Sequence, residues 1–140
     1  MAGEKNLEKL LGSISPVLIK GEYVFCTVKN SKYGDYAESQ PIASFLEAEG
    51  LTLVLPKDSA DSFDLSYDGI FRCITLGVHS SLAAVGLTAA VAGILAEHGI
   101  AANVIAAYFH DHIFVQSRLA KQAFGLLLEN KDYKTDITQT

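Results

Sequence analysis

Between Phe71 and Glu129 the hydrophobic pattern switches period in the order strand, helix, strand, strand, helix, and this order restricts the fold more than any other feature of the chain. Phe71–Val78 is rich enough in Ile, Val, Thr and Phe to read as a strand. Leu82–Ala96 is apolar except for Thr88, and Ser80 or Ser81 offers an N-cap for a helix running to about His98. Gly99 can supply the left-handed residue of a C-cap, with Ile100 placed to pack back on the last turn. Asn103–Phe109 then reads as a strand and His112–Gln116 as its hairpin partner across His110-Asp111. Ser117 caps a final helix with Leu119, Ala123, Leu126 and Leu127 at helical spacing, and Tyr133–Thr140 is a polar tail expected to fray. The result is β-α-β-β-α, the split β-α-β order of an α+β fold. The strand at 103–109 is apolar on both faces, so the first half of the chain or a second copy must cover one of them.

The first half is less regular. Asn6 can cap a short helix carrying Leu7, Leu10 and Leu11, which Ser15-Pro16 ends. Glu22–Val28 and Leu51–Leu55 are strands, and Ser31–Gln40 is a polar, glycine-containing loop. Pro41–Glu49 fits a helix opened by proline and closed by Gly50, but it fits equally the first strand of a hairpin turning at Glu49-Gly50. After Pro56, Asp58 or Ser59 can cap a short helix to Phe63. A boundary near Tyr67-Asp68-Gly69 divides the chain into units at 1–69 and 70–129, followed by the polar tail 130–140.

Charge and composition exclude several classes. The net charge is −5 and the eleven lysines and arginines are scattered, so no basic stripe for a nucleic-acid backbone exists. The apolar run Leu82–Ala96 is shorter than the roughly 20 residues a membrane helix needs. The start Met1-Ala2-Gly3-Glu4-Lys5 lacks the layout of a signal peptide, which points to the cytoplasm. Cys26 and Cys73 each sit in an apolar run and read as buried reduced thiols. Charged residues are 19% of the chain, below the roughly 25% of a typical soluble protein, which suggests a surface covered by a partner and hence a homodimer.

No arrangement for catalysis stands out. Gly-x-Ser-x-Gly, Walker A and His-Glu-x-x-His patterns are missing. Gly77-Val78-His79-Ser80 sets a histidine beside a serine, but neighbours on an extended chain point apart. His110-Asp111-His112 could offer two imidazoles to one metal ion, yet the triplet falls at a hairpin turn and a third protein ligand is not evident. The residues therefore predict no enzyme, no cofactor and no metal, with a structural or capping role for the triplet.

The stretch Leu95-Ala96-Glu97-His98-Gly99-Ile100-Ala101-Ala102-Asn103-Val104-Ile105 resembles the helix-to-strand junction of ACT domains. Ser80-Ser81-Leu82 with Val85-Gly86-Leu87-Thr88, and Tyr108–Val115, resemble short bacterial tandem ACT-like proteins. Glu47–Leu55 resembles a hairpin in the first unit of the same family, which favours the hairpin over the helix there. The resemblance implies two ferredoxin-like βαββαβ-type units packed together. It also implies a regulatory protein that binds a small molecule, in this family usually an amino acid, at an interface between units.

Carried over by position, the resemblance makes His79, Ser80, Ser81 and Leu82 the ligand loop, Val85 and Gly86 the helix start, and Asn103 and Val104 the neighbouring strand. Many regulatory members have Pro-Gly where this chain has Ser80-Ser81, so the ligand pose differs. A helix N-terminus suits a carboxylate, and a glycine permits close approach. An α-ammonium needs acceptors, for which Glu49, Asn103 and the strand carbonyls near Thr52 are candidates. The competing reading is a protein-interaction or dimerisation module with a degenerate ligand site.

Overall fold

The computed structural model describes residues 14–77 and 86–139, with side chains described as far as residue 129. The strands are β1 (Pro16–Leu18), β2 (Tyr23–Val28), β3 (Ala43–Glu47), β4 (Gly50–Pro56), β5 (Phe71–Leu76), β6 (Asn103–Ala106) and β7 (Asp111–Gln116). The helices are α1 (Lys57–Ser62), α2 (Leu87–Ala96) and α3 (Ala120–Gln139), with short 3-10 turns at Ala37–Ser39 and Ser117–Leu119. The fold is α+β, and the chain divides into two compact units. One is Gly21–Phe71; the other joins the segment before it to the segment from Arg72 onward. No helix among the described residues is long and apolar enough to cross a membrane.

In the Gly21–Phe71 unit, β4 lies between β3 and β2, both antiparallel to it. The ambiguous stretch after Pro41 is the hairpin: Glu47 faces Gly50, leaving Ala48 and Glu49 as the two-residue turn. Alternation sends Val24, Cys26, Leu51, Leu53 and Leu55 to one face, where with Ala60 of α1 they form a buried core. Tyr36, Leu65, Tyr67 and Ile70 pack around it. Helix α1 begins at Lys57 with Pro56 as its N-cap residue, and neither Asp58 nor Ser59 caps it. The reason is a partner distant in sequence: the Lys57 N–H, one of the first-turn amides without a helical acceptor, donates to Glu22 O at 3.0 Å, which holds the helix start at Lys57.

The second unit is built on β5. Strand β1 pairs with it antiparallel, Pro16 opposite Leu76 and Leu18 opposite Ile74, and β7 joins β5 to β6. Helices α2 and α3 supply the rest of the core. Leu87, Val91 and Leu95 recur every four residues on α2 and are buried with Ile74, Leu76, Ile100, Ile113, Val115, Ala123 and Leu127. The end of α2 is the expected cap: Gly99 has φ +73°, its N–H reaches Ala96 O at 3.0 Å, and the Ile100 N–H reaches Leu95 O at 3.0 Å.

Four boundaries in this unit differ from the sequence expectation. Gly86, with φ +92°, is the N-cap residue of α2, because a left-handed residue there breaks the helical path. Ser80 and Ser81 lie outside the described residues. Strand β6 stops at Ala106, not Phe109. The Ala107 N–H donates to His110 O at 3.0 Å and Ala106 faces Asp111, so the turn runs through Tyr108-Phe109. Those two rings, 71% and 61% exposed, stack edge to face at 5.0 Å on the hairpin tip. Gln116, not Ser117, is the N-cap residue of the turn before α3, and the α3 backbone stays helical to Gln139 through the segment expected to fray. The proposed N-terminal helix at Asn6–Leu11 lies outside the described residues.

Candidate ligand-binding site

The residues singled out from the sequence fall in three places. His79, Ser80, Ser81, Leu82 and Val85 lie outside the described residues. Gly86 opens α2, and Asn103 and Val104 are consecutive on β6. The Asn103 side chain is committed across the hairpin, where its Nδ2 donates to Phe114 O at 3.1 Å. Val104 packs against the core under the helices. Glu49 and Thr52 belong to the Gly21–Phe71 unit, Glu49 in the turn and Thr52 on β4. The Thr52 hydroxyl donates to Glu47 Oε1 at 2.6 Å, so the carboxylate it meets is two residues from the one chosen.

Around His112 the second unit holds a small polar chain. His112 Nδ1 and Thr75 Oγ1 are 2.9 Å apart, and Cys73 Sγ lies 3.8 Å from the same hydroxyl. The His110 and His112 rings sit 6.4 Å apart at 69°. Among the described residues no group of three or more His, Cys, Asp or Glu could hold a metal ion. Burial lowers the His112 pKa from its usual 6.5; nearby His110 lowers it further and Asp111 opposes. The same burial raises the Cys73 thiol, and Cys26 is buried and raised in the other unit. Both thiols are free.

The His112 shift has a pH consequence. The fold favours the neutral ring, so the folded protein binds fewer protons than the unfolded chain through this window. Stability from this group is complete above the unfolded value, near 6.5, and is lost as pH falls from there through the lowered folded value. Urea unfolding at pH 7.5 and pH 5.5 should show the midpoint dropping with acid. In His112→Gln the drop should shrink; an equal drop in both proteins would rule this source out.

The structure also shows a cleft that sequence reading missed. It lies wholly within the Gly21–Phe71 unit and has a volume of about 330 Å³. Tyr33, Asp35, Gln40 and Ser44 bring polar groups to its wall, and Pro41, Ile42 and Ala43 bring apolar surface over the buried Leu51 and Leu53. Its rim is a loop held in unusual backbone geometry: Tyr36 has φ +65° and Gln40 φ +57°, without being glycine. The buried Ser39 between them donates its hydroxyl to Tyr36 O at 2.6 Å. Asp35 accepts from the Lys32 N–H at 2.8 Å and from Lys32 Nζ at 3.1 Å, and these bonds lower its pKa. In sequence the loop was legible only as a loop. Nothing in its spacing signalled that three turns would fold back into one wall.

Comparison with known proteins places this geometry. An ACT-domain family model matches residues 2–72, and a second ACT-domain model matches residues 70–129. Comparison with curated proteins gives no match. Among solved structures, a Vibrio cholerae protein of unknown function, described as a possible transport protein, is 56% identical. That likeness covers 91% of this chain and 97% of the other, with a TM-score of 0.83. A protein from Agrobacterium tumefaciens is 19% identical over 84% of this chain and 89% of its own, with a TM-score of 0.70. The ligand-free regulatory subunit of aspartate kinase from Thermus thermophilus shares the fold at 7% identity, covering 84% and 98% with a TM-score of 0.58. With two models matched head to tail and a relative more than half identical, the chain belongs to the ACT-domain family and carries two such domains in tandem.

Proposed function

We propose that this protein is a cytoplasmic, non-catalytic regulator that binds a free amino acid and acts as a homodimer. The observation that carries the reading is the tandem ACT match over almost the whole described chain. ACT domains are modules that convert the binding of a small molecule into a change in a partner. The regulatory subunit of aspartate kinase, which shares this fold, is consistent with that role. In this reading His79–Leu82 form the ligand loop, beside Gly86 at the start of α2 and Asn103–Val104 on β6.

The test is thermal unfolding of the full chain against each of the twenty amino acids. A ligand at a hundred times its dissociation constant stabilises the folded state by about 2.7 kcal/mol. For a chain of this size that is a rise of roughly 5–10 °C. Leu82→Arg should abolish the rise on adding ligand, whatever it does to the baseline. If no amino acid moves the midpoint by more than about 1 °C at millimolar concentration, the sensor reading fails, and the interaction-module reading replaces it. Light scattering that gives about 30 kDa, twice the 15.0 kDa chain, supports the dimer, and the monomer mass rejects it.

A further inference from the structure

The Gly21–Phe71 unit carries most of the chain's charge imbalance. It holds nine carboxylates, at 22, 35, 38, 47, 49, 58, 61, 64 and 68, against Lys29, Lys32 and Lys57. Its net charge of −6 exceeds the −5 of the whole protein. The cleft opens within this acidic unit, and no lysine, arginine or histidine lines it. An anionic ligand would meet no cationic side chain in its wall. The polar side chains there, the Asp35 carboxylate, Tyr33 phenol, Gln40 amide and Ser44 hydroxyl, all can accept hydrogen bonds. Pro41, Ile42 and Ala43, none of them buried, offer an apolar surface to methylene groups. At about 330 Å³ the space is at the small end of ligand sites.

We propose that this cleft is a binding site for a small organic cation, an alkylammonium or diammonium compound, formed by residues other than those proposed above for the amino acid. The ammonium group sits against Asp35 and the exposed Tyr33 ring, and the carbon chain lies along the apolar wall. Lys32 Nζ now occupies one Asp35 oxygen, but that lysine side chain is 85% exposed. A surface pair of this kind is worth at most about 1 kcal/mol, so an entering cation can displace it. The left-handed Tyr36 and Gln40 bound the 3-10 turn at Ala37–Ser39, which sets Ala37 and Gln40 on the wall of the cleft.

The experiment uses the full chain labelled with nitrogen-15, titrated with 1,4-diaminobutane or with 1,4-butanediol, its uncharged counterpart. The diamine at millimolar concentration should move the amide resonances of residues 33–44 and 51–53, and the diol should leave them in place. Asp35→Asn should weaken the diamine at least fivefold. Asparagine keeps an oxygen for the Lys32 N–H, so the turn survives, and unchanged resonances elsewhere verify it. Ala37→Trp tests the site without touching charge: it fills the cleft from an exposed position and should abolish the shifts. Equal shifts from the diol overturn the proposal. So do shifts spread evenly over Glu47, Asp58, Asp64 and Asp68, which mark a diffuse counterion, or shifts centred on Gly86 and Asn103. The diamine carries no carboxylate, so failure of every amino acid in the thermal screen leaves this result standing, and the reverse also holds.

Discussion

Leu95→Ala should destabilise the unit that contains it by about 2–5 kcal/mol, the range for a buried leucine whose cavity cannot collapse. Leu95 is fully buried in the second core, with Val91 one turn before it on the same face of α2 and with Ile74, Ile100, Ile113 and Leu127 in the same cluster. Its carbonyl accepts the 3.0 Å bonds from His98 and Ile100 that close the helix, and alanine keeps that carbonyl. The loss therefore reports side-chain packing alone. Against a total stability of about 5–15 kcal/mol for a domain, it is a large fraction. Urea unfolding should give a lower midpoint, and amide exchange should accelerate along α2, β5 and β7 while residues 21–71 keep more of their protection. A loss below about 1 kcal/mol would mean that α2 is not packed as described.

Gly77→Ala should cost about 3 kcal/mol, the upper end for forcing atoms into a filled site. A Cβ at Gly77 would stand 2.7 Å from Ser15 O and 3.0 Å from Ser15 Cβ. The oxygen is main chain, and the Gly77 N–H already donates to it at 2.9 Å, so neither partner can step aside without loosening β1 from β5. Gly93→Ala is the matched control. It lies mid-helix in α2 with nothing within 4 Å of its added Cβ, and alanine there should stabilise by about 0.5–1 kcal/mol. Chemical denaturation of the two variants should give opposite signs. If both destabilise, the close approach of the first strand is not what Gly77 serves.

Much of the fold was legible in the residues because period and punctuation agreed. The apolar run Leu82–Ala96 with Gly99-Ile100 behind it marks α2 and its end, although a run apolar on every side does not tell which face, that of Leu87, Val91 and Leu95, is buried. Alternation places Leu51, Leu53 and Leu55 on one side of β4. What failed were boundaries decided by partners distant in sequence. Pro56 could become the N-cap residue because Glu22, more than thirty residues earlier, supplies a carbonyl to Lys57. Tyr108 and Phe109 looked like strand residues by propensity, yet they form the turn, since a β-preference says nothing of where a hairpin reverses. The candidate site was less legible still. Asn103 and Val104 were named only from their place in a family pattern, while the cleft depends on left-handed backbone at Tyr36 and Gln40, which ordinary side chains do not announce.

The pairing of β1 with β5 sets an order of events during synthesis. Leu18 must wait for Ile74, its partner across the strands, to leave the ribosome, and the whole Gly21–Phe71 unit is made in between. That unit can close while the earlier strand is still unpaired, because β2, β3, β4 and α1 find their partners inside it. The remaining unit is discontinuous in the chain and cannot finish until α3 has emerged, since Ala123 and Leu127 belong to its core. A nascent chain that exposes the residues up to 71 but not yet those from 120 onward thus presents one finished body and one open sheet edge, the form most exposed to wrong pairing.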